Sequence, residues 1–346
     1  MFTAPANTIV LLFFLLSVTF YSCERIDNQL TPRVPKGDVY LGGCLKVAVS
    51  ELPNTLIPGM ITDPVSSEVG LHLHNGLLKQ DAKTLKVVPG LAESWSVDDA
   101  GTSYVFNLRK RALFHEDECF GNASREITAR DFLYSFKQLC SKEASAAYET
   151  TFKDRVVGAS DFHEGRADDI AGIKVIDDYT LSIQLLKPDP SFLYVLAQPS
   201  MAVVAEKAVK KYGAQSVVGA GPFMLGSAGK ELVLVRNEDY YAQDAFGNGV
   251  PFVDTLIFKA IPTREQQLNA FFAGEIDLVS SIYPDPVKQI LEQHIAEFSG
   301  RSPQYIMLRE TEAVGYESYS IHRAGIIGFG NNFMGYRDFS LVQIKQ

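Results

Sequence analysis

The sequence predicts a mixed α/β fold. Short stretches in which apolar and polar residues alternate, such as Leu45–Val49 and Thr180–Leu186, have the period of β-strands. Stretches with helical spacing, such as Ser66–Leu78, lie between them. Because the two kinds of segment alternate without the regular strand–helix–strand rhythm of a parallel sheet, a mixed arrangement is favoured.

The composition is close to that of an average soluble globular protein. The chain has 346 residues, of which 46% are hydrophobic and 21% charged, and its net charge is −9. This balance excludes a disordered tail, a collagen-like fibre and a polytopic membrane protein. Binding to nucleic acid needs clustered Lys and Arg, so the acidic balance argues against a nucleic-acid partner.

The N-terminal segment 1–22 is predicted to be a signal peptide. It carries no charge, and Ile9–Phe20 is an unbroken run of twelve apolar or small hydroxyl residues. Twelve helical residues span about 18 Å, which is too short for a bilayer core of about 30 Å but typical of a signal peptide. Ser22 and Cys23 then resemble a bacterial lipobox, which predicts a lipid on the Cys23 thiol. A plain secretory signal or an uncleaved anchor is the alternative, and in every case we expect an exported chain.

Residues 23–43 mix Pro, Gly and charged residues without periodicity, which predicts a flexible tether next to the lipid. Beyond Cys23 the chain holds Cys44, Cys119 and Cys140, and an odd number leaves at least one thiol free or bonded to another chain. Cys119 and Cys140 are the disulfide candidate, since their bridge would contribute ~3 kcal/mol in the chain-entropy model. Two unpaired, buried thiols are the alternative.

The clearest local patterns are a hairpin and a helix start. A turn at Asp98–Gly101 separates Glu93–Val97 from Tyr104–Arg109, and Thr128 with Asp131 three residues later is a capping-box start. Further strands and helices are predicted at Gly172–Ile176, Thr180–Leu186 and Glu231–Arg236, and at Phe192–Ala197, Gln266–Ala273 and Val287–Phe298.

No catalytic or cofactor motif is found in the sequence, which predicts that the chain is not an enzyme and has no cofactor. His72 and His74 are two apart on a predicted helix, so they cannot chelate one metal ion and are predicted to be surface residues. The run His115–Cys119 offers ligand-type side chains, but adjacent residues do not converge easily on an ion. We expect a solvated acidic loop there, no metal site, and little support for an exported hydrolase.

Several passages resemble the extracytoplasmic substrate-binding proteins of oligopeptide and dipeptide ABC transporters, known as family 5. Each passage alone is a weak match, whereas their order and spacing over about 230 residues are specific. They are Asn75–Leu78, Pro89–Ser96, Asp98–Arg109, Thr128–Phe136, Ile176–Leu181, Gly219–Phe223, Arg236–Tyr240 and Gly274–Asp277.

This resemblance implies a clamshell of the type II periplasmic-binding-protein class, in which a peptide lies between two lobes and is delivered to a permease and its ATPase. It places lobe I at 44–62, 172–280 and 324–346, a small hairpin-containing domain at 63–171, and a remnant of the second large lobe at 281–323. The implied ligand-binding residues are Met60, Ile61, Thr62, Asp63, Pro64 and Val65. Trp95, the single tryptophan, is a further candidate, with a role in core or lobe packing as its alternative.

The sequence departs from the family pattern after Gly274–Asp277. Members continue into a large third domain, whereas Tyr305–Leu308 here resembles only its first strand and Ile327–Tyr336 already resembles the closing segment. The simplest account is an internal loss between about Arg309 and Arg323, with the second large lobe mostly missing. A cleft needs two walls to bury a ligand, so we expect peptide binding to be impaired. The alternative is a surface scaffold whose partner supplies the missing wall.

Overall fold

The computed structural model describes residues 30–82, 84–144, 147–213, 216–282, 284–299, 304–311, 317–327, 337, 339–340 and 342–345. The predicted signal peptide and Cys23 lie outside these residues. The strands are Cys44–Val49 (β1), Leu78–Gln80 (β2), Val87–Pro89 (β3), Ala92–Val97 (β4), Ser103–Leu108 (β5), Ile173–Asp177 (β6), Thr180–Gln184 (β7), Phe223–Ala228 (β8), Glu231–Arg236 (β9), Thr255–Ala260 (β10), Leu278–Ile282 (β11), Tyr305–Thr311 (β12), Glu317–Arg323 (β13), Ile326–Ile327 (β14) and Gln343–Ile344 (β15). The α-helices are Pro64–Leu73 (α1), Ala129–Leu139 (α2), Ala159–His163 (α3), Phe192–Leu196 (α4), Glu206–Tyr212 (α5), Arg264–Phe272 (α6), Pro284–Gln293 (α7) and Ile295–Phe298 (α8).

Seven of the described strands form one large sheet in the order β12-β13-β11-β1-β10-β9-β8. The first strand, β1, is central and runs parallel to β10, from Cys44 opposite Thr255 to Val49 opposite Ala260. Its side chains Leu45 and Val47 are fully buried. Leu45, Val47 and Val49 thus form one buried apolar face of β1, and the half-buried Lys46 lies on the other face. We call this sheet and the helices on it the large unit.

A second sheet has the order β4-β5-β7-β6. The predicted hairpin is confirmed, because β4 pairs antiparallel with β5. Asp98 closes the turn by accepting hydrogen bonds from the amides of Thr102 and Ser103 at 2.8 and 2.9 Å, and Gly101 takes a φ of 68° there. The turn residues and the alternating pattern of the two strands both favour a hairpin, and they lie close together in the sequence. The hairpin can therefore be predicted from the sequence.

Helix α2 also begins as predicted. The Thr128 hydroxyl and amide both lie 2.8 Å from Asp131 Oδ2, which completes a capping box. Phe132 and Phe136 on its buried face join a core of side chains that runs from Leu77 to Ala220. We call residues 77–220 the small unit, since they share this core. It takes in β6 and β7, which the predicted boundary at 171 divides from the hairpin.

Strands β12 and β13 belong to the large sheet. They pair with each other over their full length, and β13 pairs with β11. Residues 305–323 therefore extend the large unit, although the predicted domain boundaries assign them to a remnant of the second lobe. The predicted internal loss falls within residues 305–323, of which 312–316 lie outside the described residues.

The N-terminal strap, residues 30–43, is bound to the large unit. Arg33 donates to the carbonyl of Pro251 at 2.6 Å and to Asp254 at 2.9 Å, and the Thr31 amide donates to Glu238 at 2.8 Å. The prediction of a flexible tether over 23–43 is therefore wrong for these residues. A sequence rich in Pro, Gly and charge is fixed here by long-range hydrogen bonds that its local pattern does not show. Across the described part of the chain, we find no helix that combines the length and the apolar character needed to span a bilayer.

Candidate functional site

The predicted binding segment, residues 60–65, leads from a short 3₁₀ turn into helix α1. Pro58–Met60 forms the turn, and Ile61 leaves it in an extended conformation. Asp63, also extended, caps α1 by accepting from the Ser66 amide at 2.8 Å. Pro64 occupies the first helical turn, where its missing N–H costs nothing. The helix start is thus fixed by local sequence, and it holds the preceding backbone in one conformation.

An open cleft of ≈ 490 Å³ lies along this segment. Its volume falls within the range of about 300–1,000 Å³ that is typical of ligand sites. The wall opposite the segment comes from the turn that follows α4, and the floor is the first two turns of α1. The lining residues are Ile61, Thr62, Asp63, Pro64, Val65, Ser67, Glu68, Leu71, Gln198, Pro199 and Ser200. Five of the six residues predicted in the segment therefore line a real cleft.

The backbone of this segment is available to a ligand. The Ile61 amide donates to the Pro58 carbonyl at 3.0 Å, and the Asp63 carbonyl accepts from Ser67 at 3.0 Å. Between them, neither the amide nor the carbonyl of Thr62 is hydrogen-bonded to any residue that the structure describes. Thr62 is exposed and lies between two extended residues. A free donor and acceptor in such a position are what strand addition by a peptide requires.

The charges along the cleft are largely committed to the fold. Glu68 is ion-paired with Arg337, and Arg337 also donates to Ser280 Oγ at 3.2 Å. Burial acts to raise the pKa of the Asp63 carboxyl, but hydrogen bonds from Ser66 and its neighbours outweigh it, so the pKa lies below its ordinary value. Asp63 is therefore ionised at neutral pH and stabilises the N-terminus of α1.

A second depression, of ≈ 440 Å³, lies on the small unit around Lys153, Arg155 and Lys187. Its charges are largely satisfied, because Arg155 pairs with Asp189 at 2.8 Å and Lys153 pairs with Glu149 at 2.9 Å. Its backbone turns sharply at Asp154, which has a φ of 53°, instead of running extended as it does on both sides of Thr62. The cleft beside α1 is therefore the better candidate.

Two of the predicted ligand residues lie away from this cleft. Met60 is 55% exposed but does not line the cleft, because the 3₁₀ turn directs it elsewhere. Trp95 sits in β4 opposite Phe106 and packs against the core of the small unit. Packing, the alternative role for Trp95, is therefore the one the structure shows.

Sequence reasoning missed the residues that form the other half of the cleft. Gln198–Ser200 reach it because their 3₁₀ turn packs against the turn at Pro58–Met60. Glu68 reaches it from the second turn of α1. Pro199 is the sole local signal, since a proline begins each of these turns. The sequence of neither segment indicates that the turn at Pro58–Met60 and the turn at Pro199 contact each other.

The prediction that His72 and His74 are surface residues is wrong. Both are buried, and α1 ends at Leu73, so His74 is the C-cap residue rather than part of the helix. His74 Nε2 lies 2.7 Å from the Leu56 carbonyl and must donate its proton to it. Burial lowers the pKa of His74 to about 4, so the ring is neutral at pH 7.

His115 is likewise buried rather than part of a solvated loop. Its Nδ1 accepts from the Gly219 amide at 3.2 Å, so Nε2 carries the proton and donates to the Gly221 carbonyl at 3.0 Å. Burial lowers its pKa to about 3. Both ring nitrogens of His115 are hydrogen-bonded to backbone groups, so the residue has a structural role. It is not available as the general base that a hydrolase built on it would need.

The glycines beside His115 are required by close backbone approach. A Cβ on Gly219 would lie 1.9 Å from the Leu73 carbonyl oxygen, and one on Gly221 would lie 2.3 Å from that of His72. Neither residue has a positive φ, so the backbone conformation is not what requires a glycine here. Glycine is required because residues 219–221, where the chain leaves the small unit, pack directly against the backbone at the end of α1.

The candidate disulfide between Cys119 and Cys140 is not formed: both are free thiols, as in the alternative, with Cys140 buried and Cys119 half-buried. They contact different elements: Cys140 Sγ lies 3.5 Å from the Ala159 carbonyl in α3, whereas Cys119 sits in a turn closed by Asp117. Burial raises the pKa of Cys119 to about 12 and that of Cys140 to about 11, so neither is a ready nucleophile. Among the described residues, no cluster of three His, Cys, Asp or Glu side chains is positioned to bind a metal ion.

Comparison with known proteins identifies relatives of this chain. Residues 86–315 match the model of the bacterial extracellular solute-binding proteins, family 5 (middle region). The chain is 28% identical over 267 residues to the dipeptide-binding protein of Escherichia coli, covering 72% of this chain and 45% of that protein. It spans about half the length of the curated relatives it matches.

Solved structures give the same result. An oligopeptide-binding protein of an ABC transporter (OppAIV) from Borrelia burgdorferi matches with a TM-score of 0.64 and 26% identity, over 78% of this chain and 53% of that one. The peptide-bound DppA of Helicobacter pylori matches in fold with a TM-score of 0.61 at 23% identity, over 79% and 51%. The predicted periplasmic-binding-protein-like fold is confirmed, with about half of each relative matched. The chain belongs to the bacterial extracellular solute-binding proteins of family 5.

Proposed function

We propose that the chain is an exported peptide-binding protein of an ABC transporter, and that the cleft beside α1 holds the peptide backbone. The observation that carries the proposal is that the amide and carbonyl of Thr62 have no hydrogen-bond partner among the described residues, in a segment that lines a cleft of suitable size. Main-chain pairing binds peptides of many sequences, which suits a transporter of mixed peptides. The similarity to a dipeptide-binding protein and to a peptide-bound structure supports the same ligand class.

Among the described residues, the cleft is lined by the segment, α1 and the turn after α4 and is otherwise open, which sets the affinity that we expect. A single-walled site leaves much of the ligand in water, so we expect Kd values of about 0.1–1 mM, well above those of fully enclosed sites. Titration calorimetry with a tripeptide library, beside free amino acids as the control, tests this. Saturable heat with peptides alone supports the proposal, and no heat at millimolar peptide would overturn it.

Delivery to a permease and its ATPase is part of the same proposal. A chain that binds peptide but stimulates no ATPase activity in permease-containing vesicles would act as a surface scaffold instead. Stimulation that depends on added peptide supports the transport role.

We also propose that the exported chain is held at the membrane through a lipid on Cys23. The support is the apolar run Ile9–Phe20 followed by Ser22-Cys23. Mass spectrometry of the mature N-terminal peptide tests this and should find a diacylglyceryl adduct. Cys44 is disulfide-bonded whereas Cys119 and Cys140 are free thiols, so Cys23 is the one remaining cysteine of the sequence, and a bond to Cys44 competes with the lipid for the same sulfur. A sulfur in a disulfide cannot carry a thioether-linked lipid, so recovery of Cys23 joined to Cys44 would overturn this anchor.

A further inference from the structure

A second, smaller cavity adjoins the cleft where the large and small units meet. It has a volume of ≈ 50 Å³, and its lining residues come from both units, for example Lys79 from the small unit and Tyr240 from the large unit. We call it the junction cavity. Leu71, Gln198 and Pro199 line both the junction cavity and the cleft, so the two spaces meet at these three residues.

One stripe of α1 leads from the cleft to the junction cavity. Pro64, Glu68 and Leu71 line the cleft at helical spacing, and Asn75, just beyond the helix, lines the junction cavity. From Pro64 to Leu71 the helix rises about 11 Å. A peptide of four residues spans at most about 13–14 Å when it is extended. A tetrapeptide that lies in the cleft is therefore long enough to place one end in the junction cavity.

The two spaces are lined by charges of opposite sign. The charged residues that line the cleft are Asp63 and Glu68, both acidic. Among the described residues that line the junction cavity, Lys79 alone is charged, since His74 is neutral. Lys79 is half-buried and forms no ion pair with any residue that the structure describes. A peptide with free ends also carries one charge of each sign, so the two spaces together are complementary to it.

A second cation lies near Lys79. Burial raises the pKa of the Tyr241 hydroxyl, whereas Lys79 and Arg109 both act to lower it. The Arg109 guanidinium lies 5.0 Å from the centre of the Tyr241 ring. The centre of the Tyr240 ring, which belongs to the lining of the junction cavity, is 4.7 Å from that of Tyr241. This end of the peptide path is therefore electropositive and favours an anionic group.

Asn75 provides a hydrogen-bond acceptor in the same cavity. The residue is only 6% exposed, and its side-chain amide donates to the Ala220 carbonyl and to the Tyr240 hydroxyl, both at 3.1 Å. Its side-chain oxygen accepts from none of the residues that the structure describes. An acceptor in a buried residue destabilises the folded protein unless water or a ligand supplies a donor.

We propose that the junction cavity binds the terminal carboxylate of the peptide, with the Lys79 ammonium as its counter-charge, and that the amino end of the peptide points toward Asp63. The inference rests on the proposed peptide binding. One water needs at least about 10–15 Å³, so the cavity has room for a carboxylate but not for a whole residue. The Asn75 oxygen can accept from the last amide N–H of the peptide. The reverse orientation would bring the peptide carboxylate next to that of Asp63, which is unfavourable.

Titration calorimetry with tetra-alanine and with its C-terminal amide tests the proposal, because neither peptide has an acidic side chain. For the wild type, we expect amidation to raise the Kd about three- to fivefold, as for the loss of a partly exposed ion pair. Lys79→Met should bind both peptides with the Kd that the wild type has for the amide. The preference of the wild type for the free acid should shrink as the salt concentration rises.

Lys86→Met is the matched control. Lys86 directly precedes β3, the partner of the strand that holds Lys79, but it is exposed and lines neither space. This variant loses the same charge and should keep the wild-type preference, and both variants should unfold at the temperature of the wild type. Equal Kd values for acid and amide in the wild type, or a preference that persists in Lys79→Met, would overturn the inference while peptide binding stands. Absence of heat with both peptides would overturn the inference and the proposed function together.

Discussion

The Glu68 carboxylate on α1 is ion-paired with the guanidinium of Arg337, a residue close to the end of the chain. The two side chains are only 14% and 9% exposed, and Arg337 also binds Ser280 in β11. The pair therefore ties the first turns of α1, which form the cleft floor, to the large sheet. A helix that carries a binding site needs this kind of fixed support, since a loose one would lose the geometry of Thr62.

Removing one partner of this pair should destabilise the protein strongly. Arg337→Met leaves the Glu68 carboxylate buried without its counter-charge, which typically costs about 3–5 kcal/mol. Chemical denaturation measures the change. The double variant Glu68→Gln/Arg337→Met should be closer to the wild type than Arg337→Met is, because it leaves no buried charge.

An exposed pair provides the comparison. Glu149 and Lys153 are 2.9 Å apart but are 55% and 45% exposed, so Lys153→Met should unfold at the same denaturant concentration as the wild type. Equal effects of Arg337→Met and Lys153→Met would show that the buried pair does not hold α1.

Gly219→Ala should prevent close packing of the two units. The new methyl would lie 1.9 Å from the Leu73 carbonyl, a backbone atom that cannot move without displacing the end of α1. We expect a loss of at least about 3 kcal/mol in the free energy of unfolding, or failure to fold.

Gly229→Ala is the matched control, since nothing lies within 4 Å of its Cβ position and its φ is not positive. Its stability should stay within about 0.5 kcal/mol of the wild type. A tolerated Gly219→Ala would mean that the contact between the return chain and α1 is looser than the structure shows.

Local patterns account for the parts of the fold that were predictable. The β4–β5 hairpin and the start of α2 depend on turn and cap residues within a few positions, such as Asp98 and Thr128. The cleft segment was predicted through resemblance alone, because nothing in residues 60–65 marks them as ligand-binding.

Contacts between distant segments account for what the sequence did not reveal. The histidines at 74 and 115 are buried because backbone groups of Leu56, Gly219 and Gly221 meet them, and their own neighbours in sequence do not indicate this. The same holds for the strap: Arg33 donates to the carbonyls of Pro251 and Phe252, which are 218 and 219 positions away.

Two of the buried histidines, His74 and His115, should make the junction of the units sensitive to acid. Their folded pKa values, about 4 for His74 and about 3 for His115, lie below the unfolded value of 6.5, so the unfolded chain binds more protons as the pH falls. At a pH above 6.5 both histidines are neutral in the folded and the unfolded chain, and the free energy of unfolding has its full value. As the pH falls from 6.5 toward the folded pKa values, the unfolded chain takes up protons first and the free energy of unfolding decreases. Each histidine adds a slope of up to about 1.4 kcal/mol per pH unit between about pH 6 and 4.

Urea denaturation at about pH 7, 6, 5 and 4 measures these slopes. His115→Gln keeps a side-chain donor but does not titrate, so its stability should fall less steeply over this acid range than that of the wild type. Carboxylates titrate alike in both proteins and cancel in the difference. Parallel curves would show that His115 is not neutral and buried in solution.

Filling the cleft should abolish peptide binding without unfolding the protein. Ser67 faces the cleft from the first turns of α1 and is only partly buried. A tryptophan at this position occupies space that the peptide needs, so we expect Ser67→Trp to raise the Kd for tripeptides at least about tenfold, a change of about 1.4 kcal/mol. Titration calorimetry measures it, and far-ultraviolet circular dichroism checks the fold.

Lys187→Trp places the same side chain in the second depression on the small unit. It should bind peptide like the wild type, because the backbone there turns at Asp154 and does not offer the extended segment that a peptide strand needs. If Lys187→Trp weakens binding and Ser67→Trp does not, the peptide site lies on the small unit. Loss of binding in Ser67→Trp alone, with the fold intact, locates the peptide beside Thr62, where main-chain pairing is available.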